Sequence, residues 1–120
     1  MSDPLAELRE TFFLECDELL EKLETDLLSL ESGSDDPELV NSAFRAVHSI
    51  KGGAGAFGMT AITDAAHIFE TAMDHVRSGS LDLDNDLCAL FLRSKDLLSS
   101  LIEQENGGPP ADPEEIRAVH

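Results

Sequence analysis

The fold is decided by residues 5–30, which read LAELRETFFLECDELLEKLETDLLSL. Apolar side chains recur there at alternating steps of three and four residues, which is the spacing of one face of an α-helix. These positions are Leu5, Leu8, Phe12, Cys16, Leu19, Leu23, Leu27 and Leu30. Asp3 and Pro4 suit the beginning of a helix, and Ser32-Gly33 suits its end. The stretch therefore predicts one long amphipathic helix.

The same period recurs in three further segments, which begin near Asp36, Thr60 and Asp84. Their apolar positions are Val40, Ala43, Val47, Ile50 and Ala54, then Ile62, Ala65, Phe69, Met73 and Val76, then Leu87, Leu90, Phe91, Leu98 and Leu101. No segment shows the alternation that is typical of a strand. Short turns separate the segments, so we expect an all-α fold, an antiparallel up-and-down four-helix bundle.

The predicted bundle occupies residues 1–106, and the run NGGPP at residues 106–110 breaks the chain after it. Asp112-Pro113 followed by Glu115 has the pattern of a capping box. Residues 107–120 therefore predict a breaker loop and the start of a short, incomplete fifth helix that packs on the bundle. Because this helix is cut off at His120, we expect the chain to be a piece of a longer protein.

The composition excludes several classes of function. The 120 residues include 25 acidic and 8 basic side chains, for a net charge of −17. Nucleic acids and anionic membranes both bind clustered Lys and Arg, which this chain lacks. No apolar run approaches the ~20 residues that span a bilayer, so we expect no membrane insertion.

The two cysteines, Cys16 and Cys88, match no metal spacing. We therefore expect a reduced, cytoplasmic protein.

One segment departs from the pattern of a plain bundle. Residues 46–58 read AVHSIKGGAGAFG, with three glycines where the second helix should continue. Each glycine costs about 1 kcal/mol relative to alanine in a helix interior, so the run predicts a helix end or a close approach by another molecule. Gly53–Gly58 matches the dinucleotide fingerprint formally, but that site needs a preceding strand. A P-loop is excluded because Lys51 precedes the glycines.

The helical period places His48 at the edge of the bundle. At about 100° per residue, His48 lies about 120° from the centre of the apolar arc of its helix. Gly52 and Gly55 fall on the same side, and Lys51 lies one turn away. This arrangement suits a group that a large partner must reach. On the period alone, a solvated surface histidine beside a frayed helix end remains open and is the simpler interpretation.

His67 and Glu70 are three residues apart and therefore share one helical face. Packing of adjacent antiparallel helices could bring Glu70 to His48. A carboxylate bonded to one ring nitrogen fixes the tautomer and leaves the other nitrogen free as a nucleophile. An ordinary surface pair remains open on spacing alone.

The glycine segment resembles a known family. FRAVHSIKGGAGAFG at residues 44–58, followed by HIFE at residues 67–70, is similar to the histidine-phosphotransfer domain of CheA-type chemotaxis kinases. Four shorter segments share the resemblance, namely TFF at 11–13, DELL at 17–20, LFL at 90–92 and KD at 95–96. The resemblance thus covers nearly the whole chain. It implies a bundle whose second helix continues through the glycines and whose fourth helix is followed by a fifth.

The resemblance also implies a chemistry. His48 would accept a phosphoryl group from ATP held by a separate kinase domain and donate it to an aspartate on response regulators. Glu70 would bond Nδ1 of His48, so that Nε2 carries the phosphate. Lys51 and His67 would complete the polar cluster, with the Lys51 charge near the phosphoryl oxygens.

The same resemblance implies the partners and cofactors. The partners would be the kinase catalytic domain and response regulators of the CheY and CheB types. ATP and Mg²⁺ would be held on the kinase domain, and Mg²⁺ on the regulator. This chain would hold no cofactor and no metal. It contains no phosphate-cradling loop and its charge repels nucleotides, so we expect a phosphoacceptor domain of a histidine kinase that is not a complete enzyme alone.

The period also predicts a docking surface. Leu14 points roughly opposite the apolar centre of the first helix, and antiparallel packing of the first two helices would place it level with Gly53. A regulator that reaches His48 over Gly52 and Gly55 could rest on Leu14 and on its neighbour Phe13. An exposed leucine that contacts nothing is an open alternative.

Two other functions remain open on the sequence. Asp64, His67 and Glu70 face one way and could bind a metal with His48, but di-metal bundles need two paired carboxylate–histidine motifs and carboxylates from all four helices. An acidic helical adaptor without chemistry fits the composition, but it leaves residues 48–58 unexplained.

Overall fold

The computed structural model describes residues 3–107, and these residues form four α-helices without strands. The helices are α1 at Pro4–Glu31, α2 at Pro37–Ala56, α3 at Thr60–Arg77 and α4 at Asn85–Glu105. The predicted all-α fold is therefore confirmed, and α2 continues through the glycines. The predicted fifth helix lies outside the described residues.

The helices form an antiparallel up-and-down bundle. α1 and α3 each pack against both α2 and α4, so the four helices close a ring. At one end of the bundle, Arg9 of α1 lies 3.3 Å from the Glu105 carboxylate of α4. Further along, Lys95 of α4 lies 3.6 Å from Glu24 of α1. Residue numbers rise along one helix as they fall along its neighbour, which is the antiparallel arrangement.

Aspartate side chains begin three of the four helices. The carboxylates of Asp3, Asp36 and Asp84 each accept a hydrogen bond from a backbone N–H in the first turn, at 3.0, 3.0 and 2.8 Å. Such a cap typically stabilises a helix by about 1 kcal/mol. α3 begins at Thr60, as the sequence predicts, without a side-chain cap.

The core lies between the apolar faces of the four helices. The predicted apolar positions of α2, α3 and α4 are all buried or half-buried. Burying one such aliphatic side chain contributes about 1.5–3 kcal/mol. The largest side chains that are fully buried are Leu23, Leu27, Ile50, Ile62, Met73, Leu97 and Leu98.

The first turns of α1 differ from the prediction. Leu5 and Leu8 belong to the predicted apolar stripe, yet each is 61% exposed. α1 is 28 residues long and α2 is 20 residues long, and the contact of Arg9 with Glu105 places the end of α4 beside Arg9. Among the described residues, the start of α1 therefore extends past the ends of its neighbours.

α1 approaches α2 closely at Gly53, where the Phe12 ring lies against the glycine. A Cβ atom at Gly53 would come within 2.6 Å of Phe12 Cδ1. The Phe12 ring is 6% exposed and is held by the rings of Phe13 and Phe57, each at a centroid distance of 5.7 Å. Gly53 is therefore required by packing within the bundle. Gly52, in contrast, has open space where its Cβ would lie.

Neighbouring glycine-to-alanine substitutions should have opposite effects on stability. Gly53→Ala should lower the free energy of unfolding by about 1–2 kcal/mol, because the overpacking against Phe12 exceeds the gain in helix propensity. Gly52→Ala is the matched control and should raise it by up to about 1 kcal/mol. Chemical denaturation followed by circular dichroism measures both. Equal effects of the two substitutions would contradict the packing role of Gly53.

Candidate functional site

His48 lies on the outward face of α2. Its side chain is 62% exposed, whereas the adjacent Val47 and the following Ile50 are fully buried. The apolar arc of α2 thus faces the core and turns His48 towards solvent. This confirms the edge position that the helical period predicts.

The packing of α3 against α2 brings Glu70 to His48. Glu70 Oε2 lies 2.9 Å from His48 Nδ1, and Glu70 Oε1 lies 3.0 Å from Lys51 Nζ. The Glu70 side chain is only 15% exposed. Because each carboxylate oxygen has its own partner, the orientation of the carboxylate is fixed. We refer to His48, Lys51 and Glu70 as the polar triad.

Electrostatics determine which imidazole nitrogen remains free. Burial raises the pKa of the Glu70 carboxyl, but hydrogen bonds with His48 and Lys51 and the charges of these groups bring it below its ordinary value. Glu70 is therefore ionised at neutral pH and can only accept a hydrogen bond. His48 Nδ1 must then donate, and in the neutral ring Nε2 keeps an unshared electron pair.

The structure brings Lys51 into the site but not His67. Lys51 is a quarter exposed and its ammonium group contacts Glu70, so it holds the carboxylate. His67 is exposed, and its side chain forms no hydrogen bond or ion pair with any other described residue. The expectation that His67 completes the cluster is therefore not met, because the Glu70 oxygens contact His48 and Lys51 instead.

The surface at Gly52 and Gly55, which follow His48 on α2, lacks side chains. Nothing lies within 4 Å of the Cβ position of Gly52, and at Gly55 only Thr63 Oγ1 reaches that distance. Leu14 of α1 is 63% exposed, as predicted. Phe13, predicted to share the docking surface, is only 7% exposed because its ring packs in the core. The prediction of Phe13 as a docking residue is therefore wrong, and the predicted surface is reduced to Gly52, Gly55 and Leu14.

Two side chains that the period did not identify also belong to the site. The Phe44 ring is stacked with the His48 ring, at a centroid distance of 6.1 Å and an interplanar angle of 7°. The Arg77 guanidinium carbon lies 3.9 Å from the centre of the Phe44 ring. Phe44 precedes His48 by four residues and so shares its helical face, a signal that the sequence does contain.

Two further properties concern residues 3–107 as a whole. In this range no group of three or more His, Cys, Asp and Glu side chains is placed to hold a metal ion. The same range contains no helix that is both long and apolar enough to cross a membrane.

Comparison with known proteins identifies a family. The model of the Hpt domain matches residues 7–119. Chemotaxis protein CheA of Rhizobium meliloti is 50% identical over 106 residues, which are 88% of this chain and 14% of that protein. Chemotaxis protein CheA of Salmonella typhimurium is 43% identical over 103 residues, which are 86% of this chain and 15% of that protein. The chain thus spans about a seventh of the length of these relatives.

Solved structures agree with the sequence comparison. The CheA phosphotransferase domain from Thermotoga maritima has 30% sequence identity and a TM-score of 0.78, covering 88% of this chain and 99% of that one. The phosphorylated P1 domain of CheA3, solved in complex with CheY6 from R. sphaeroides, has 25% identity and a TM-score of 0.82, covering 94% of this chain and 89% of that one. Both are similar over almost the whole bundle, and with the match to residues 7–119 they show that this chain belongs to the Hpt domain family, as a phosphotransfer domain of the CheA type.

Proposed function

We propose that this chain carries phosphoryl groups from a chemotaxis histidine kinase to response regulators, and that His48 Nε2 is the carrier atom. The observation that carries the proposal is the contact of His48 Nδ1 with the Glu70 carboxylate, at 2.9 Å. It leaves the second nitrogen of a 62% exposed ring free to attack.

In the first step, the electron pair of His48 Nε2 forms a bond to the γ-phosphorus of ATP. The bond between this phosphorus and the bridging oxygen breaks, and ADP leaves with the electron pair. Nδ1 keeps its proton, so positive charge develops on the ring as the bond forms. The Glu70 carboxylate stabilises that charge, and Lys51 keeps the carboxylate in place.

In the second step, an aspartate oxygen of a response regulator attacks the same phosphorus and the bond to Nε2 breaks. The ring returns to its neutral form with the proton still on Nδ1. Phosphoryl transfer requires in-line positioning and neutralised oxygens more than covalent help from the carrier. We infer that ATP and Mg²⁺ are held by the separate catalytic domain, and Mg²⁺ also by the regulator, with Lys51 adding charge near the phosphoryl oxygens.

The proposed partners are the kinase catalytic domain and regulators of the CheY and CheB types. The complex of a phosphorylated P1 domain with CheY6 supports the regulator as a partner, since that domain shares this bundle. The docking surface of Gly52, Gly55 and Leu14 offers the regulator a bare approach to His48 and one apolar contact. The packing of Phe12 on Gly53 supports this placement, because it sets the relevant part of α1 level with the glycines.

Replacement of the carrier histidine should abolish phosphorylation. The catalytic domain of a similar chemotaxis kinase, supplied with Mg²⁺ and γ-labelled ATP, should label the wild-type chain with an acid-labile, alkali-stable phosphate. His48→Gln should take up no label, whereas the matched control His67→Gln should retain most of it. Label in a folded His48→Gln variant would contradict the proposal.

Loss of the Glu70 carboxylate should slow phosphorylation without unfolding the bundle. Glu70→Ala should reduce the rate by up to about 100-fold, because the ring loses its orientation and the charge that stabilises it. Glu103→Ala, at an exposed position of α4, is the control and should be unchanged. An unaltered rate in Glu70→Ala would remove Glu70 from the mechanism.

The same interaction should make stability dependent on pH. The pKa of Glu70 is lower in the folded chain than the ordinary value of about 4.3 in the unfolded chain. The contribution of the Glu70 carboxylate to the free energy of unfolding is therefore fully present at pH values above about 4.3. It is lost as the pH falls through the lower pKa that Glu70 has in the folded chain. The stability difference between the wild type and Glu70→Gln, measured by urea denaturation, should therefore diminish as the pH falls below about 4.

Leu14 should contribute to regulator binding. Leu14→Ala should weaken binding of a CheY-type regulator several-fold, because an apolar contact of this size contributes about 1–2 kcal/mol. Leu28→Ala is the matched control, since Leu28 is a 47% exposed leucine on the same helix, four turns away. Phosphorylation by the kinase should be unchanged in both. Equal affinities of Leu14→Ala and wild type in titration calorimetry would exclude the docking role.

A further inference from the structure

The plane of the His48 ring is set by a second contact besides Glu70. Phe44 lies one helical turn before His48, and the two rings are nearly parallel, at 7° with their centroids 6.1 Å apart. This separation falls within the range in which aromatic rings attract each other in an offset stack. Phe44 itself is half-buried and packs against the core. The exposed imidazole therefore has a rigid neighbour along its own helix.

The Phe44 ring is held in turn by the last turn of α3. The guanidinium carbon of Arg77 lies 3.9 Å from the centre of the Phe44 ring, well within the ~6 Å of a cation–π contact. Arg77 also lies 3.5 Å from the Asp74 carboxylate, one turn earlier on α3. Its side chain is 35% exposed, so the contact with Phe44 is partly shielded from solvent. Arg77, Phe44 and His48 thus form a continuous stack that joins α3 to α2.

The phosphoryl transfer needs this kind of restraint. The unshared pair of Nε2 lies in the plane of the imidazole ring, so the tilt of the ring decides whether the pair points at the phosphorus. The hydrogen bond to Glu70 restrains the position of Nδ1 but does not by itself fix the plane of the ring. Attack on phosphorus requires an in-line arrangement, and small errors in geometry are costly. A neighbour stacked nearly parallel to the ring restrains the plane that the hydrogen bond does not fix.

We propose that Phe44 and Arg77 are positioning residues for the phosphorylation of His48, with Phe44 setting the plane of the imidazole and Arg77 holding Phe44. This inference rests on the proposed function, because it gives the stack a role in the reaction of His48. Neither residue is proposed to touch the phosphoryl group. Their effect is on the fraction of time for which Nε2 points outwards in the reactive direction.

The kinetic test compares four variants as substrates of the kinase catalytic domain with Mg²⁺ and ATP. Phe44→Leu keeps an apolar side chain but removes the ring, and Phe44→Tyr keeps the ring. Arg77→Gln removes the cation over the ring. Arg45→Gln is the matched control, because Arg45 carries the same charge beside Phe44 but points to Glu38, at 3.8 Å.

The expected result is a lower kcat with an unchanged KM for the chain. Phe44→Leu should lower kcat by about 2- to 10-fold, which is the fold-change expected when one held side chain is released. Arg77→Gln should lower it by about 2-fold, at the lower end of that range. Phe44→Tyr and Arg45→Gln should match the wild type. An unchanged kcat in a folded Phe44→Leu, or a change in KM alone, would overturn the inference.

A spectroscopic measurement distinguishes positioning from general stability and needs no kinase. Stacking on Phe44 shifts the His48 ring-proton resonances, so these should move in Phe44→Leu and Arg77→Gln and stay in place in Phe44→Tyr and Arg45→Gln. If Phe44→Leu does not fold, the His48 ring-proton resonances of Arg77→Gln test the stack, because Arg77 is partly exposed and its replacement leaves the core intact. Unmoved His48 resonances in a folded Arg77→Gln would overturn the role of Arg77. A wild-type chain that takes no label would instead overturn the proposed function, while the resonances would still report on the stack.

Discussion

The hydrogen bond between His48 Nδ1 and the Glu70 carboxylate, 2.9 Å long, connects the fold of this chain to its chemistry. It forms only if α2 and α3 pack antiparallel in one register, which the burial of Ile50 on α2 and of Phe69 on α3 maintains. A shift of one helical turn, about 5.4 Å, would separate the two groups. The apolar core thus determines which imidazole nitrogen faces solvent, and Lys51 holds the carboxylate in its orientation.

The glycines of α2 serve two different needs that the sequence presents as one run. Gly53 faces inwards and gives room to the Phe12 ring, so a side chain there would push α1 away from α2. Gly52 faces outwards into open space and leaves the surface beside His48 bare. Both glycines have a low helix propensity. At Gly53 the packing of the Phe12 ring requires a glycine, and at Gly52 the bare surface suits the approach of a partner.

The helical period was sufficient to predict the four helices and the exposure of His48, because both depend on which way one helix faces. The start of the first helix at Asp3 was predicted from residue type instead. The period could not predict the contact of His48 with Glu70, which depends on the register between two helices and which the family resemblance supplied. It was wrong for Leu5 and Leu8, since a period does not reveal how far neighbouring helices extend. It was also wrong for Phe13, where a position at the edge of the apolar stripe is occupied by a ring large enough to reach the core. The stack of Arg77 on Phe44 depends on side-chain positions in two helices, which spacing along one chain does not contain.

The central claim is that the fold leaves one particular nitrogen, His48 Nε2, to carry the phosphoryl group. The most direct test is the coupling between ³¹P and ¹⁵N in the phosphorylated chain with ¹⁵N-labelled histidine. The phosphorus should couple to Nε2 of His48, with the proton retained on Nδ1. Coupling to Nδ1 of His48, or to any nitrogen of His67, His75 or His120, would contradict it.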